Sequence, residues 1–540
     1  MTGDIRRSLR RCAIALLPVG MLGMAAITPE ANAQTERVVI ALTVPTAETN
    51  RFWGGTAMWD SLGQALQGLV DNDPETGVYS DTALAESWEA NEDFTEWTFY
   101  LRQGVQFHYG YGEVTSEDVL HSYELHAGED SRSSTVGLLR GATVTAPDRY
   151  TVKFAFETPQ PEFLFLHGNR GEMFVYSKAQ FDQEGLEGYD RRFAATGHYQ
   201  FVEASPGRKL YRRVEDHYSG ATPDFEELEL RFVAEGSTRL AMLLTGEAHI
   251  AELSRELQKE AIAAGMETAT SKNPAMQTVL HFNGLYCMTG DEACRPDVPW
   301  HDVRIREAMN RALDREAMLQ VLFEGRAARV SPWYGMREGH EGYDPTIVER
   351  FEEMYGYDPE RAKELLAEAG YPDKFAEPVV PIVVTAIPGQ PEIPVQAELV
   401  QQYFNAIGLQ TEIREIDFAA LRALGAAREA YVINPLRNAP IRPTETHLRT
   451  VYHPDGSPYE GFETDEIMAY IEQLGSTRDP EQRDVIARET FNYLFDNYAV
   501  IPLFEVYTEA AYNPEVVAGW TFPGVTTSGM GHWHLIEAAR

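Results

Sequence analysis

The chain has 540 residues, 44% of them hydrophobic, 11% aromatic and 24% charged, with a formal net charge of −37. That length predicts more than one domain and a sizeable core. The acidity excludes general nucleic-acid binding, which needs a basic face, and disfavours anionic membranes; it is read as solubility, not as a specific role.

At the N-terminus, MTGDIRRSLRR carries four arginines, CAIALLPVGMLGMAAIT is apolar, and ANA places Ala31 and Ala33 at the −3 and −1 positions of a cleavage site. Residues 1–33 are therefore predicted to be a secretory signal peptide, and the mature chain to be periplasmic. The apolar run is short for a membrane anchor, and Cys12 stands at its start and not just after it, so lipid anchoring is not expected. The paired arginines leave both general and twin-arginine export open.

After the leader, RVVIALTV reads as a first strand, and ETNRFWGG follows it. WTFYLRQGVQFH and RYTVKFAFE alternate at period two and read as strands. TSEDVLHSYE has Thr115 three residues before Asp118, a capping-box pattern that opens a helix. LYCMTGDEAC holds the last two cysteines, and export predicts a Cys287–Cys294 disulfide stabilising by about 2.5 kcal/mol. A metal site needs more than two thiols, and no nearby CxxC or HxxxH supplies them, so no metal is expected there. The stretch 286–300 reads as a crossover between lobes.

Beyond it, DVRIREAMNRALDREAM places Ile305, Ala308, Met309 and Ala312 on one stripe of a helix with Asp302 as its N-cap. PERAKELLAEAG starts a helix at Pro359 and ends it at Gly370; PVQAELVQQYFNAIG ends at Gly408, and LQTEIREID then reads as a strand. Helix, glycine, strand is the pattern of an α/β layer.

These segments resemble, in order from about residue 40 to 510, the solute-binding proteins of the peptide/nickel type that serve ABC importers (extracellular solute-binding protein family 5). LAESWEANEDFTEWTFYLRQGVQFHYGYGEVTSEDV is similar to that family's signature over almost its whole length. LQGLVDNDPETG, TAPDRYTVKFAFETPQPEFL, ATGHYQFVEASPGRKLYRR, LLTGEAHIAE, HFNG, DVRIREAMNRALDRE, YDPERAKELLAEAGYPD and NYAVIPLFE continue the likeness. The resemblance implies an α/β fold of two periplasmic-binding-protein lobes with an additional subdomain inserted in the first. The expected division is 34–76 with 195–285 and 505–540 for lobe I, 77–194 for the insert, and 286–504 for lobe II. It also implies a solute trapped between the lobes, a monomer, and ABC permease subunits with their ATPase as partners. No cofactor is expected.

Catalysis finds no footing in the sequence. There is no GxSxG, no HExxH and no Gly-Lys dipeptide for a phosphate loop. EGHEGYD holds only an isolated His340-Glu341. HWH at 532–534 reads as a strand with both imidazoles on one face, either exposed or able to help hold nickel or haem.

NPLRNAPIRP, at 434–443, sets two arginines among three prolines. Peptide-binding family members carry in this region an aspartate, within DYPDP, that receives a peptide's free amine. Anchoring on Thr446 and Leu448 puts Pro440 at that place; a shift of one or two residues substitutes Ala439, Ile441 or Asn438, and none is acidic. The likeness thus implies a peptide-like or other small organic solute without a free-amine anchor. Arg437 and Arg442 would suit a carboxylate, or else pair with internal acids; Asn434 and Asn438 could add amide hydrogen bonds for an oligosaccharide or amide. Opine-like, metal-chelate and haem cargoes, and a sensor that presents its closed form to a receptor, stay open. The further cleft candidates are Asn50, Arg51, Phe52 and Trp53 after the first strand, Asn283, and Trp333 and Tyr334 in SPWYGM, the last two with lobe packing as the plain alternative.

Overall fold

The structure is a computed structural model. It describes residues 36–45, 48–55, 59–73, 79–132, 136–167, 173–271, 274, 276–328, 341–385, 390–438, 443–454, 461–520 and 532–540, with Leu138, Ala328, Arg437 and Asn438 described by backbone only. Residues 1–33, expected from sequence to be a signal peptide, and Trp333, Tyr334, His340, Ala439, Pro440, Ile441 and Arg442 lie outside these.

A seven-stranded sheet organises the first lobe. Arg37–Leu42 runs parallel to Glu227–Phe232 on one side and to Ile250–Ala251 on the other. Beyond these lie Arg208–Arg213 and Tyr199–Ser205 at one flank, and Glu509–Tyr512 and Glu267–Thr270 at the other. RVVIAL suits the centre because every side chain after Arg37 is buried, so both faces need apolar residues.

The second sheet has six strands, in the order Ala327–Ala328, Val500–Val506, Met276–Phe282, Ile433–Asn438, Val379–Val384 and Gln410–Glu415. The last two pair in parallel and are joined by the helix Ile393–Ala406, which stops before Gly408 at φ 99°. Only glycine takes that left-handed conformation without penalty, so GLQ ends a helix and releases a strand. The third sheet, Ala85–Ala90, Glu96–Leu101, Thr151–Phe156 and Ala142–Asp148, is antiparallel and falls within the expected insert. Its core sets His167 against Phe99, Phe154 and Phe163. The insert then rejoins the first lobe, because Tyr176, Tyr189 and Phe193 pack into that lobe's core.

Several local readings hold. Thr115 and Asp118 form a capping box, Asp302 accepts from Arg304 N at 3.0 Å, and Pro359–Ala369 ends at a left-handed Gly370. Others are corrected. The strand from Trp97 stops at Leu101, where Gly104 turns the chain at φ 83°. The helix expected through 302–318 is two, Val303–Arg311 and Arg315–Phe323, because Asp314 accepts from Ala317 N at 3.0 Å and starts a new one. HWH is a 3-10 turn, Trp533–Leu535, not a strand.

One lobe boundary also moves. Met276–Phe282 bonds to Ile433–Asn438 and Val500–Val506, and Leu280 and Phe282 join the second core, so this strand goes with the second sheet and not with the expected first-lobe range 195–285. Residues 286–300 are not a crossover; Val298 and Trp300 are buried in that second core. The chain leaves the first sheet after Thr270 and is in the second from Met276, and it returns between Val506 and Glu509. The two crossings are tied side by side: Ser271 N donates to Thr508 O at 3.0 Å, and Thr508 N to Ser271 Oγ at 3.1 Å.

Candidate functional site

Strand direction fixes which edges meet. Glu509–Tyr512 runs antiparallel to Ile250–Ala251, so residue 509 leaves from the C-terminal edge of the first sheet's parallel strands. In the second sheet Gln277 pairs with Asn438 and Phe282 with Ile433, so the crossings leave from the C-terminal edge of Ile433–Asn438. Both sheets thus turn the carboxyl ends of their parallel strands toward the crossings. In open α/β sheets, ligands sit beyond such ends.

On the first lobe this edge is hollow. A cavity of about 560 Å³ is lined by Glu48, Thr49, Asn50, Arg51, Asp190 and Lys209, among others. Arg51 Nε donates to Asp190 Oδ1 at 2.8 Å, and Asn50 Nδ2 donates to Asp190 O at 2.6 Å. Arg208, at the same wall, bonds Glu203 at 2.7 Å and Glu229 at 3.2 Å. Lys209 differs. It is 5% exposed, and its Nζ donates to the carbonyl of Thr49 at 2.9 Å. Burial lowers its pKa to about 7, only partly offset by the Glu48 carboxylate.

The candidates drawn from sequence are therefore scattered. Asn50 and Arg51 line the cavity. Phe52 and Trp53 turn the other way: Phe52 meets Phe174 at 4.5 Å, Trp53 meets Tyr176 at 5.0 Å, and both are buried in the first core. Asn283 follows Phe282 at the opposite edge of the second sheet from residue 438. Its amide is fully buried with no hydrogen-bond partner among the described residues, and its carbonyl accepts from Trp300 Nε1 at 3.0 Å. Asn434 lies inside the sheet opposite His281, its amide nitrogen 3.2 Å from the carbonyls of Pro435 and Val383. The backbone of Arg437 and Asn438 is at the crossing edge, opposite Thr278 and Gln277.

Residues outside the sequence-based set join the insert to the second lobe. Glu162 accepts from Thr446 N at 2.7 Å, from Glu445 N at 3.2 Å and from Arg483 Nη2 at 2.6 Å. It thereby caps the helix Thr444–Tyr452, where exposed N–H groups and the helix dipole favour a carboxylate. Burial, with the neighbouring Glu445 carboxylate, raises the pKa of Glu162 above the usual carboxylate range against the pull of Arg483. Arg483 also bonds Glu341 at 2.8 Å. Beside this contact a cavity of about 1010 Å³ separates Arg140 and Gln160 from Glu445 and Arg449.

The histidines of HWH are not an exposed pair. His534 stacks on His198 at 4.1 Å, and His198 on His217 at 3.9 Å. Burial lowers the pKa of His534 to about 3. Cys287 and Cys294 are free thiols, not the expected disulfide. No helix among the described residues is long and apolar enough to cross a membrane.

The family description "Bacterial extracellular solute-binding proteins, family 5 Middle" matches residues 81–458. Among similar proteins, heme-binding protein A of Haemophilus influenzae is 26% identical over 68% of this chain and 66% of its own. The probable D,D-dipeptide-binding periplasmic protein DdpA of Escherichia coli is 23% identical over 86% of each. Among solved structures, the periplasmic binding protein DppA of Helicobacter pylori with peptide STSA has a TM-score of 0.75 at 21% identity, covering 94% of this chain and 99% of its own. AgaA of A. tumefacien R10 with agropinic acid has a TM-score of 0.75 at 22% identity, covering 93% and 99%. The folds agree with the two-lobe architecture, and the match over 81–458 settles the kinship: this chain belongs to the family 5 bacterial extracellular solute-binding proteins.

Proposed function

We propose that the protein is exported to the periplasm, where it captures a small, carboxylate-bearing, peptide-like solute between its lobes as a monomer and delivers it to ABC permease subunits and their ATPase. It is a binding protein and not an enzyme. The carrying observation is the hollow edge of the first lobe, where buried Lys209 has a backbone carbonyl as its hydrogen-bond partner while Arg51 and Arg208 are already neutralised by acids. The relatives' names point the same way, since dipeptides and agropinic acid are carboxylic acids. A desolvated charge-assisted bond contributes about 1.5–3 kcal/mol. The protein's net charge repels anions at long range, so a local cation is needed to hold one.

A thermal-shift screen of the mature protein tests this, with free and N-acetylated peptides, dicarboxylates, opine-like conjugates, oligosaccharides and nickel chelates. A ligand at 100 times its Kd adds about 2.7 kcal/mol. Carboxylates that shift the wild type but not Lys209→Met support the reading. Oligosaccharides alone, or carboxylates shifting both proteins equally, would refute the lysine anchor; Arg437→Ala then tests the loop arginine in its place.

A further inference from the structure

We propose that Cys287, Cys294 and His301 form a zinc site on the second lobe, remote from the cleft. Their two Sγ atoms and one imidazole nitrogen all lie within 4.8 Å of one another. Cys287 Sγ is 3.6 Å from His301 Nδ1. Two ligands bound tetrahedrally to one zinc, at about 2.3 Å for sulfur and 2.0–2.1 Å for nitrogen, stand roughly 3.5 Å apart. The observed spacing therefore needs almost no adjustment on that side.

The imidazole is already set for metal. His301 Nε2 lies 3.0 Å from the carbonyl of Gly284, which can only accept. The proton is thus on Nε2, and the lone pair on Nδ1 faces the thiols. A metal-ligating histidine is held by such a bond on its other nitrogen. Gly284 itself is constrained, at φ 90° with a hypothetical Cβ only 2.6 Å from Tyr431 Cδ1, so its carbonyl is firmly placed.

The thiols are equally braced. Cys287 N donates to Glu463 O at 2.7 Å, where Leu285–Tyr286 pairs with Phe462–Glu463. Ala293 N donates to Asp291 Oδ1 at 2.9 Å, Cys294 N to Asp291 O at 3.2 Å, and Thr289 N to Asp465 Oδ1 at 3.1 Å. Tyr431 OH donates to the carbonyl of Ala293 at 2.6 Å. Cys287 is exposed, so an ion has an entry path.

Two thiolates and an imidazole select a borderline-soft d10 cation, and Zn²⁺ fits, with solvent completing a tetrahedron. Binding releases two thiol protons and leaves the pair of thiolates charge-matched by the metal. Its structural effect is to staple the 287–294 loop to the start of the Val303–Arg311 helix. The same thiols cannot be ligated and joined as a disulfide, so the ion holds them reduced.

The test uses the full chain carrying Cys12→Ser, so that these are its only thiols, purified with a non-thiol reductant. Zn²⁺ is titrated against a chromogenic chelator, and Co²⁺ is added as a spectroscopic probe. One tight Zn²⁺ per chain and a thiolate-to-cobalt charge-transfer band are expected, both lost in Cys287→Ser, Cys294→Ser and His301→Gln. Equimolar Zn²⁺ is also expected to slow thiol alkylation in the parent protein. Unchanged stoichiometry in the variants, a missing charge-transfer band, or alkylation and air oxidation at the same rate with and without Zn²⁺ would each overturn the site. Retained wild-type unfolding transitions in the variants separate lost ligation from lost folding.

Discussion

Replacing Lys209 with methionine is expected to remove a pH-dependent penalty on folding. Methionine has a similar length and no charge, so the change deletes the ammonium and its bond to Thr49 O, the latter contributing about 1 kcal/mol. In the folded protein, burial holds Lys209 near 7, whereas an unfolded lysine titrates at 10.5. Below about 7 the lysine is charged in both states and the desolvation penalty is fully present. Between about 7 and 10.5 the unfolded chain binds the extra proton, so folded stability rises with pH at about 1.4 kcal/mol per unit. Above 10.5 the penalty is gone. Urea unfolding at pH 7.5 and 9.5 therefore gives a wild-type gain of about 2.5 kcal/mol beyond that of Lys209→Met, in which every other group titrates alike. Equal pH slopes in the two proteins would refute the buried-cation argument. A bound carboxylate restores the lysine's charge, so solute binding above pH 7 is expected to take up a proton, measurable as a buffer-dependent heat.

Glu162→Ala removes the carboxylate cap of Thr444–Tyr452 and its bond to Arg483, with an expected loss of about 1–3 kcal/mol. X-ray scattering is expected to show a larger radius of gyration if this contact holds the insert against the second lobe, and an unchanged radius would count against that role. His534→Phe is expected to blunt acid sensitivity. The folded imidazole titrates near 3 and the unfolded one near 6.5, so stability falls as pH drops below about 6.5, and the variant's Tm is expected to change less between pH 7 and 5. Gly284→Ala forces a Cβ to within 2.6 Å of Tyr431 Cδ1 and 2.9 Å of Ala430 O at φ 90°, and a loss of about 1–3 kcal/mol is expected in chemical denaturation.

The fold was legible where the signal is local. Thr115 with Asp118, Pro359 with Gly370, and Gly408 before its strand each act within a few residues, and each is found as read. The break between Val303–Arg311 and Arg315–Phe323 leaves little trace in the sequence because both helices bury their apolar stripes, so the pattern carries across Asp314 with little interruption. Phe52 and Trp53, expected at the cleft, pack into the first core instead of lining the cavity beside Asn50 and Arg51. An aromatic pair after a first strand reads the same whether it meets a solute or Tyr176, which is more than 120 residues away. His301 is not marked by spacing along the chain; it joins the cysteines through a turn that no CxxC or HxxxH template describes.

The same distinction governs the arginines of an acidic chain. Arginine in sequence says only that a fork is available, and in this fold most forks near the first-lobe cavity are taken: Arg51 by Asp190, Arg208 by Glu203 and Glu229. A neutralised guanidinium adds little net field for an incoming anion. Lys209, in the run RKLYRR, looks like one more exposed cation in an alternating strand, yet it is 5% exposed because residues 160 positions earlier close over it. Charge that is desolvated, hydrogen-bonded to a backbone carbonyl and only partly offset by the Glu48 carboxylate is what an anionic solute can exploit, since it relieves a penalty the protein already bears. Selectivity in such a cleft is thus set less by how many cations line it than by which one the fold has failed to neutralise.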